Sequence, residues 1–236
     1  MARLNFDTEL WRFSVYADHF FEDHSQMFLL DYNGYGEGEQ WNTWQKRRYL
    51  MYSLKDMMLG AEFDLKYGRW LRSLVFEYIY TKYQSGPYNH DRTENISDHI
   101  AGMDDYYNHS IYTGWQHWGQ VIGNPLYRSP IYNTDNSIDV RNNRFYALHL
   151  GVEGSPTERL DYRVLTTYQK GWGTYNNPFT KAYKNLSFLV EAKYKFNHEW
   201  TVRGGYAMDF GSEKMYGHNA GFQLTVTKSG LLTKKK

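Results

Sequence analysis

LSFLVEAKYKF, residues 186–196, is the stretch from which the fold is read. Leu186, Phe188, Val190, Ala192, Tyr194 and Phe196 fall at every second position, opposed by Ser187, Glu191 and Lys193. A period of two sends successive side chains to opposite faces, so this is a strand with one apolar and one polar side. Residues 197–199 turn it into a run where Val202, Tyr206 and Met208 oppose Arg203 and Asp209. In the last run Ala220, Phe222, Leu224 and Val226 oppose Gln223, Thr225 and Thr227.

The same pattern recurs toward the N-terminus. Leu160, Tyr162, Val164, Thr166 and Tyr168 form one run; Tyr146, Leu148, Leu150 and Val152, facing away from Phe145, Ala147 and His149, form another. Residues 71–83 follow a turn at Gly68 and Arg69; before it, Leu59, Ala61, Phe63 and Leu65 oppose Glu62, Asp64 and Lys66. Trp11, Phe13, Val15 and Ala17 alternate with Arg12, Ser14, Tyr16 and Asp18. Only residues 41–54 have apolar spacing that suits a short helix. No Pro/Ser-rich linker interrupts the pattern, so residues 1–236 read as a single all-β domain.

The links between these runs alternate long and short, the third long one carrying Trp172, Tyr175 and Pro178. Long loops on one side and short turns on the other are the mark of an antiparallel outer-membrane β-barrel; a soluble sandwich has no reason for the asymmetry. The expectation is such a barrel, or part of one, with eight to ten strands in this chain, an even number by the parity of the links. Ten is favoured, with an extra strand pair between residues 83 and 144, because so long a structureless link is improbable. Arg12, Asp18, Glu62, Asp64, Lys66, His149, Arg163, Glu191, Lys193, Arg203 and Asp209 then face a polar lumen, since charges facing lipid are costly.

Composition agrees. Aromatic residues make up 19% of the chain, with 23 Tyr, more than a small soluble core accommodates but suited to a lipid-facing surface with two interfaces. No run approaches about 18 apolar residues, which excludes a transmembrane helix but not transmembrane strands. The absence of Cys removes disulfides and thiolate chemistry, and a formal charge of +1 gives no footprint for nucleic acid. MARLNFDTEL has no apolar signal region, so the chain is read as mature, truncated or internal to a longer protein.

Residues 104–132, DDYYNHSIYTGWQHWGQVIGNPLYRSPIY, lack any period. Rings from Tyr106, Tyr107, Trp115 and Trp118, joined from downstream by Trp172, lie close in sequence to the polar groups of Asp104, Asp105, Asn108 and His109. A pyranose has an apolar face that rests on a ring and a hydroxyl rim that needs paired partners, so these nine residues are the candidate carbohydrate-binding set. The competing account is that the rings form interfacial belts and the glycines only permit tight turns.

The run YYNHSIYTGWQHWGQVIGNPL, with LVFEYIYTKYQSGP before it and YQKGWGTY after it, resembles the capsule assembly Wzi family of bacterial outer-membrane proteins, from about His19 to Leu232. The resemblance implies a closed barrel of about eighteen strands that works without catalysis as a lectin, holding capsular polysaccharide at the cell surface. This chain is then expected to correspond to the C-terminal portion of such a barrel, although it ends in LLTKKK rather than in an aromatic strand end. The expected partners are capsular or other surface polysaccharide and outer-membrane lipid, with one copy as the working unit and no nucleic acid, cofactor or metal.

The rival readings are an outer-membrane channel, with the central motif as constriction, and an outer-membrane hydrolase. No HExxH, DxDxDG or GxSxG is present, and Asp98 with His99, or Asn108 with His109, lacks a third ligand at motif spacing.

Overall fold

A computed structural model describes residues 1–20, 30–31, 43, 48–49, 56–84, 105–109 and 111–230. Nine strands form one sheet: β1 (Ala2–Asp7), β2 (Trp11–His19), β5 (Met57–Leu65), β6 (Ser73–Tyr80), β9 (Phe145–Thr157), β10 (Leu160–Gly173), β11 (Pro178–Lys195), β12 (Trp200–Gly211) and β13 (His218–Lys228). They pair antiparallel in that order, and the sheet is open, with β1 and β13 at its edges. Two small ladders stand apart: β3 (Leu30–Asp31) with β4 (Arg48–Tyr49), and β7 (Gln116–His117) with β8 (Gln120–Val121).

Nine strands fall within the eight to ten expected, although the parity of the links pointed to eight or ten and the sheet is not closed. β1 is the added strand; its Leu4 and Phe6 alternate with Arg3, Asn5 and Asp7, and Phe6 pairs with Phe13. The favoured extra strand pair does not join the sheet: β6 pairs directly with β9, and β7 with β8 is a tight hairpin within the link. The helix expected over residues 41–54 lies mostly outside the described residues; its Arg48 and Tyr49 are extended and pair with Asp31 and Leu30. The third long link shrinks to residues 174–177, because β10 and β11 continue pairing to Gly173 opposite Pro178. A register irregularity between Gly171 and Gly173, with a proline opening the next strand, made strand look like loop.

The register shows how the sheet sorts its two faces. Phe6, Phe13, Phe63, Leu74, Val152, Val164, Val190, Tyr206 and Phe222 stand side by side across all nine strands. One residue away on the opposite face runs Asp7, Arg12, Asp64, Ser73, Glu153, Arg163, Glu191, Gly205 and Gln223. All the charges assigned above to one face share it, and several are paired, such as Arg163–Glu191 at 3.4 Å and Arg203–Glu191 at 3.6 Å. The apolar face is bare: Phe76, Leu150, Val190 and Phe222 are 48%, 41%, 39% and 71% exposed.

Links 8–10, 66–72, 158–159 and 196–199 join strand ends on one side of the sheet; links 20–56, 81–144, 174–177 and 212–217 join strand ends on the other. The asymmetry rests on the first two links of the second group. Aromatic rings gather toward both ends of the apolar face. Tyr78, Tyr80, Tyr146, Tyr168 and Trp172 make a contact chain at the long-link end. At the short-turn end Trp11 meets Phe63 at 6.0 Å and Tyr194 meets Phe196 at 5.0 Å. On β10 the rings nearest the two ends of this face are Tyr162 and Trp172, about ten residues or ~33 Å apart along the strand.

The core lies where the described residues 105–109 and 111–143 fold back over the polar face. Tyr106, Tyr127 and Val140 from the link pack with Ile79, Phe145 and Ala147 of the sheet, all buried. Gly171 shows how closely the link is seated: a Cβ there would come within 2.2 Å of Asn142 Oδ1.

Candidate functional site

The link is held by polar side chains used as structural pins. Asp56, fully buried, accepts hydrogen bonds from the Tyr83 amide at 2.9 Å and from the Tyr106 hydroxyl at 2.8 Å. Gln84 receives the Tyr106 amide at 2.8 Å and donates to the carbonyls of Thr81 and Asn143. Asn108 takes the place of a backbone partner for Val140, accepting from its amide at 2.8 Å and donating to its carbonyl at 3.0 Å. Gln169 of β10 donates to the Leu126 carbonyl at 2.9 Å, and the Tyr216 hydroxyl donates to the same oxygen at 2.9 Å. Burial pushes the Tyr216 phenol well above its ordinary range, so it remains a donor.

The backbone of the link is unusual. Asp105, Tyr107 and Trp118 have φ of 49°, 70° and 51°, and Gly114, Gly119 and Gly123 are also left-handed. Aromatic residues in this region carry strain, which persists only where surrounding contacts fix the conformation. Here those contacts include the stacking of Tyr107 on Tyr127, with ring centroids 4.0 Å apart.

A cleft of about 350 Å³ opens between this link and the end of β2. Trp115, Tyr107, Tyr127 and Ile122 provide apolar walls, and Asp18, His19 and Asn124 provide polar groups. The volume falls among small-ligand sites, which span roughly 300–1,000 Å³. Trp115 is 65% exposed, so its ring is open to a ligand. The Asp18 carboxylate lies 3.3 Å from the Met1 amino group, and His19 Nδ1 lies 2.8 Å from the Asp56 carbonyl oxygen.

The structure divides the nine residues chosen from sequence. Tyr107 and Trp115 meet in the cleft. Tyr106 lines its floor but is only 4% exposed, and its hydroxyl is engaged by Asp56, so it anchors the link rather than offering a ring face. Asp105 and Asn108 serve as pins: Asn143 donates to the Asp105 carboxylate at 2.6 Å. His109 stacks on Tyr112 at 3.9 Å and accepts the Ile111 amide, outside the cleft. Trp118, 87% exposed, projects at the β7–β8 turn. Trp172 belongs to the girdle on the opposite face, against Tyr146 and beneath the Lys82 ammonium. Asp104 lies outside the described residues.

Asp18, His19, Ile122 and Asn124 are not among the candidate binding residues that the sequence offers. The even spacing from Arg12 to Asp18 put Asp18 on the polar face, but only the folding back of the link sets a ring beside it. Among the described residues no three His, Asp or Glu side chains gather as a metal site.

In the link's outer turn, Arg141 and the Ser137 amide hydrogen-bond to Asp135 and hold its carboxyl below the usual carboxylate range. A depressed pKa stabilises the folded turn above the unfolded carboxylate's pKa and ceases to do so as pH falls through the folded one. The Ser137 amide resonance is therefore expected to stay constant at neutral pH and to shift only below the ordinary Asp range. A shift at or above that range would contradict this pairing.

The chain matches no protein-family model, no curated protein and no solved structure.

Proposed function

We propose that this protein belongs to the bacterial outer membrane, takes part in capsule assembly as proteins of the Wzi family do, and binds surface polysaccharide without chemical turnover. The observation that carries the reading is the position of the ring-lined cleft at the long-link end of a sheet whose other face is apolar and bare. The ~33 Å between the aromatic ends of β10 becomes about 25 Å at the ~40° tilt of barrel strands, which suits strands that cross an outer membrane with the cleft at the long-loop rim.

Trp115 and Tyr107 would stack sugar faces, and Asn124, Asp18 and His19 would meet hydroxyls. Each stacking contact contributes about 0.5 to 1.5 kcal/mol, so single-site affinity is weak. Repeats of one polymer on neighbouring molecules convert weak contacts into retention. The link packed over the polar face at this end speaks against an open channel as the main role.

Trp115→Ala is expected to weaken binding of the purified protein to capsular polysaccharide by about 2- to 10-fold, with strand content unchanged. Trp118→Ala, which removes a ring outside the cleft, should have the smaller effect. Equal binding by wild type and Trp115→Ala in glycan titrations would remove this cleft as the site.

A further inference from the structure

The long-link girdle carries a second, separate chemistry. Across the apolar face the register aligns Tyr80, Tyr146, Lys170 and Lys184 in one row. Immediately beyond it Lys82 and Arg144 flank Trp172: the Lys82 ammonium lies 4.3 Å and the Lys170 ammonium 5.3 Å from the Trp172 ring centre. Arg144 lies over Tyr175 at 3.9 Å and donates to the Lys82 carbonyl, which fixes its charge beside theirs.

None of these four cations has a carboxylate partner among the described residues. Elsewhere pairing is common: Arg163 and Arg203 share Glu191, Lys193 and Lys195 share Asp161, and Lys228 meets Glu199. Four positive charges thus stand close together where the apolar band gives way to polar surroundings. A lysine stem can lie along apolar surface there while its ammonium reaches outward.

We propose that Lys82, Lys170 and Lys184, supported by Arg144, form a docking surface for the phosphate groups of a phosphorylated membrane lipid. The proposal rests on the outer-membrane reading above. A lipid fits better than an anionic polysaccharide, because these side chains continue the rows of the apolar face, whereas the cleft lies on the opposite face. An ammonium near an anionic lipid surface gains about fivefold in affinity, and three together gain about a hundredfold.

The test is calorimetric titration of the detergent-folded protein with diphosphoryl lipid A, beside a Lys82→Gln, Lys170→Gln, Lys184→Gln variant. The wild type is expected to bind diphosphoryl lipid A about a hundredfold more tightly than the variant. Dephosphorylated lipid A should bind the wild type as weakly as diphosphoryl lipid A binds the variant, and inorganic phosphate should not compete. The proposal is overturned if the variant binds like wild type, if removing the phosphates changes nothing, or if inorganic phosphate displaces the lipid. Loss of polygalacturonate binding in the variant, with lipid binding intact, would make the surface a glycan site and likewise overturn it. Detergent uptake by the wild type, measured by light scattering, reads the membrane assignment separately: a protein that takes up none fails that assignment whatever the lysines do.

Discussion

Leu150→Arg is expected, on the proposed outer-membrane location, to strip the protein from the membrane fraction and to lower the thermal stability of detergent-folded material. Leu150 stands midway along β9 on the apolar face, flanked in register by Phe76 and Thr166, and is 41% exposed in the isolated sheet. A guanidinium at mid-depth on a lipid-facing strand costs about 2–4 kcal/mol, and no carboxylate stands in that row. Gln223→Arg, on the polar face of β13, should be tolerated, since it joins a row already containing Glu191 and Glu153. Membrane fractionation with heat-shift electrophoresis compares the two. If both variants fractionate and melt alike, the apolar face does not meet lipid.

Asp56→Ala should unseat the link while leaving the sheet paired. The substitution removes the acceptor for the Tyr83 amide and the Tyr106 hydroxyl at a fully buried position. Leaving two buried donors without partners costs about 1–3 kcal/mol each. Tyr106→Phe, which deletes one of the two bonds, should cost roughly half as much. The measurement is hydrogen exchange and limited proteolysis within residues 105–143: protection should fall in the order wild type, Tyr106→Phe, Asp56→Ala. Persistent protection in Asp56→Ala would show that apolar packing around Tyr127 and Phe145 suffices alone. Because Tyr106 lines the cleft, the same variant is expected to lose the polysaccharide binding proposed above together with link protection.

What could be read from sequence follows from which interactions are local. Alternation from Leu186 to Phe196, or from Leu59 to Lys66, is dictated by the strand itself, and the structure keeps those faces as read. β1 carried the same signal in Leu4 and Phe6, but six residues at the chain start were read for a leader rather than for a strand. Trp172 could have been placed by continuing the even positions from Val164 through Tyr168, which puts it on the apolar face; Gly171 and Gly173 beside it suggested a loop instead. Tyr106 and Asn108 were legible as unusual but not as pins, because Asp56 and Val140 are their partners only in three dimensions. The cleft depended on the same non-local step, in which a link without period lies down on the polar face.

Nine antiparallel strands have a geometric consequence at the sheet's margins: β1 and β13 point the same way. Joined to each other, or to the opposite margin of an identical sheet held upright beside it, they would meet as a parallel seam. Only an odd number of additional strands restores opposed neighbours all the way round a ring. The arithmetic of direction, not the chemistry of either margin, decides which kinds of closure this sheet can enter without a change of hydrogen-bond pattern.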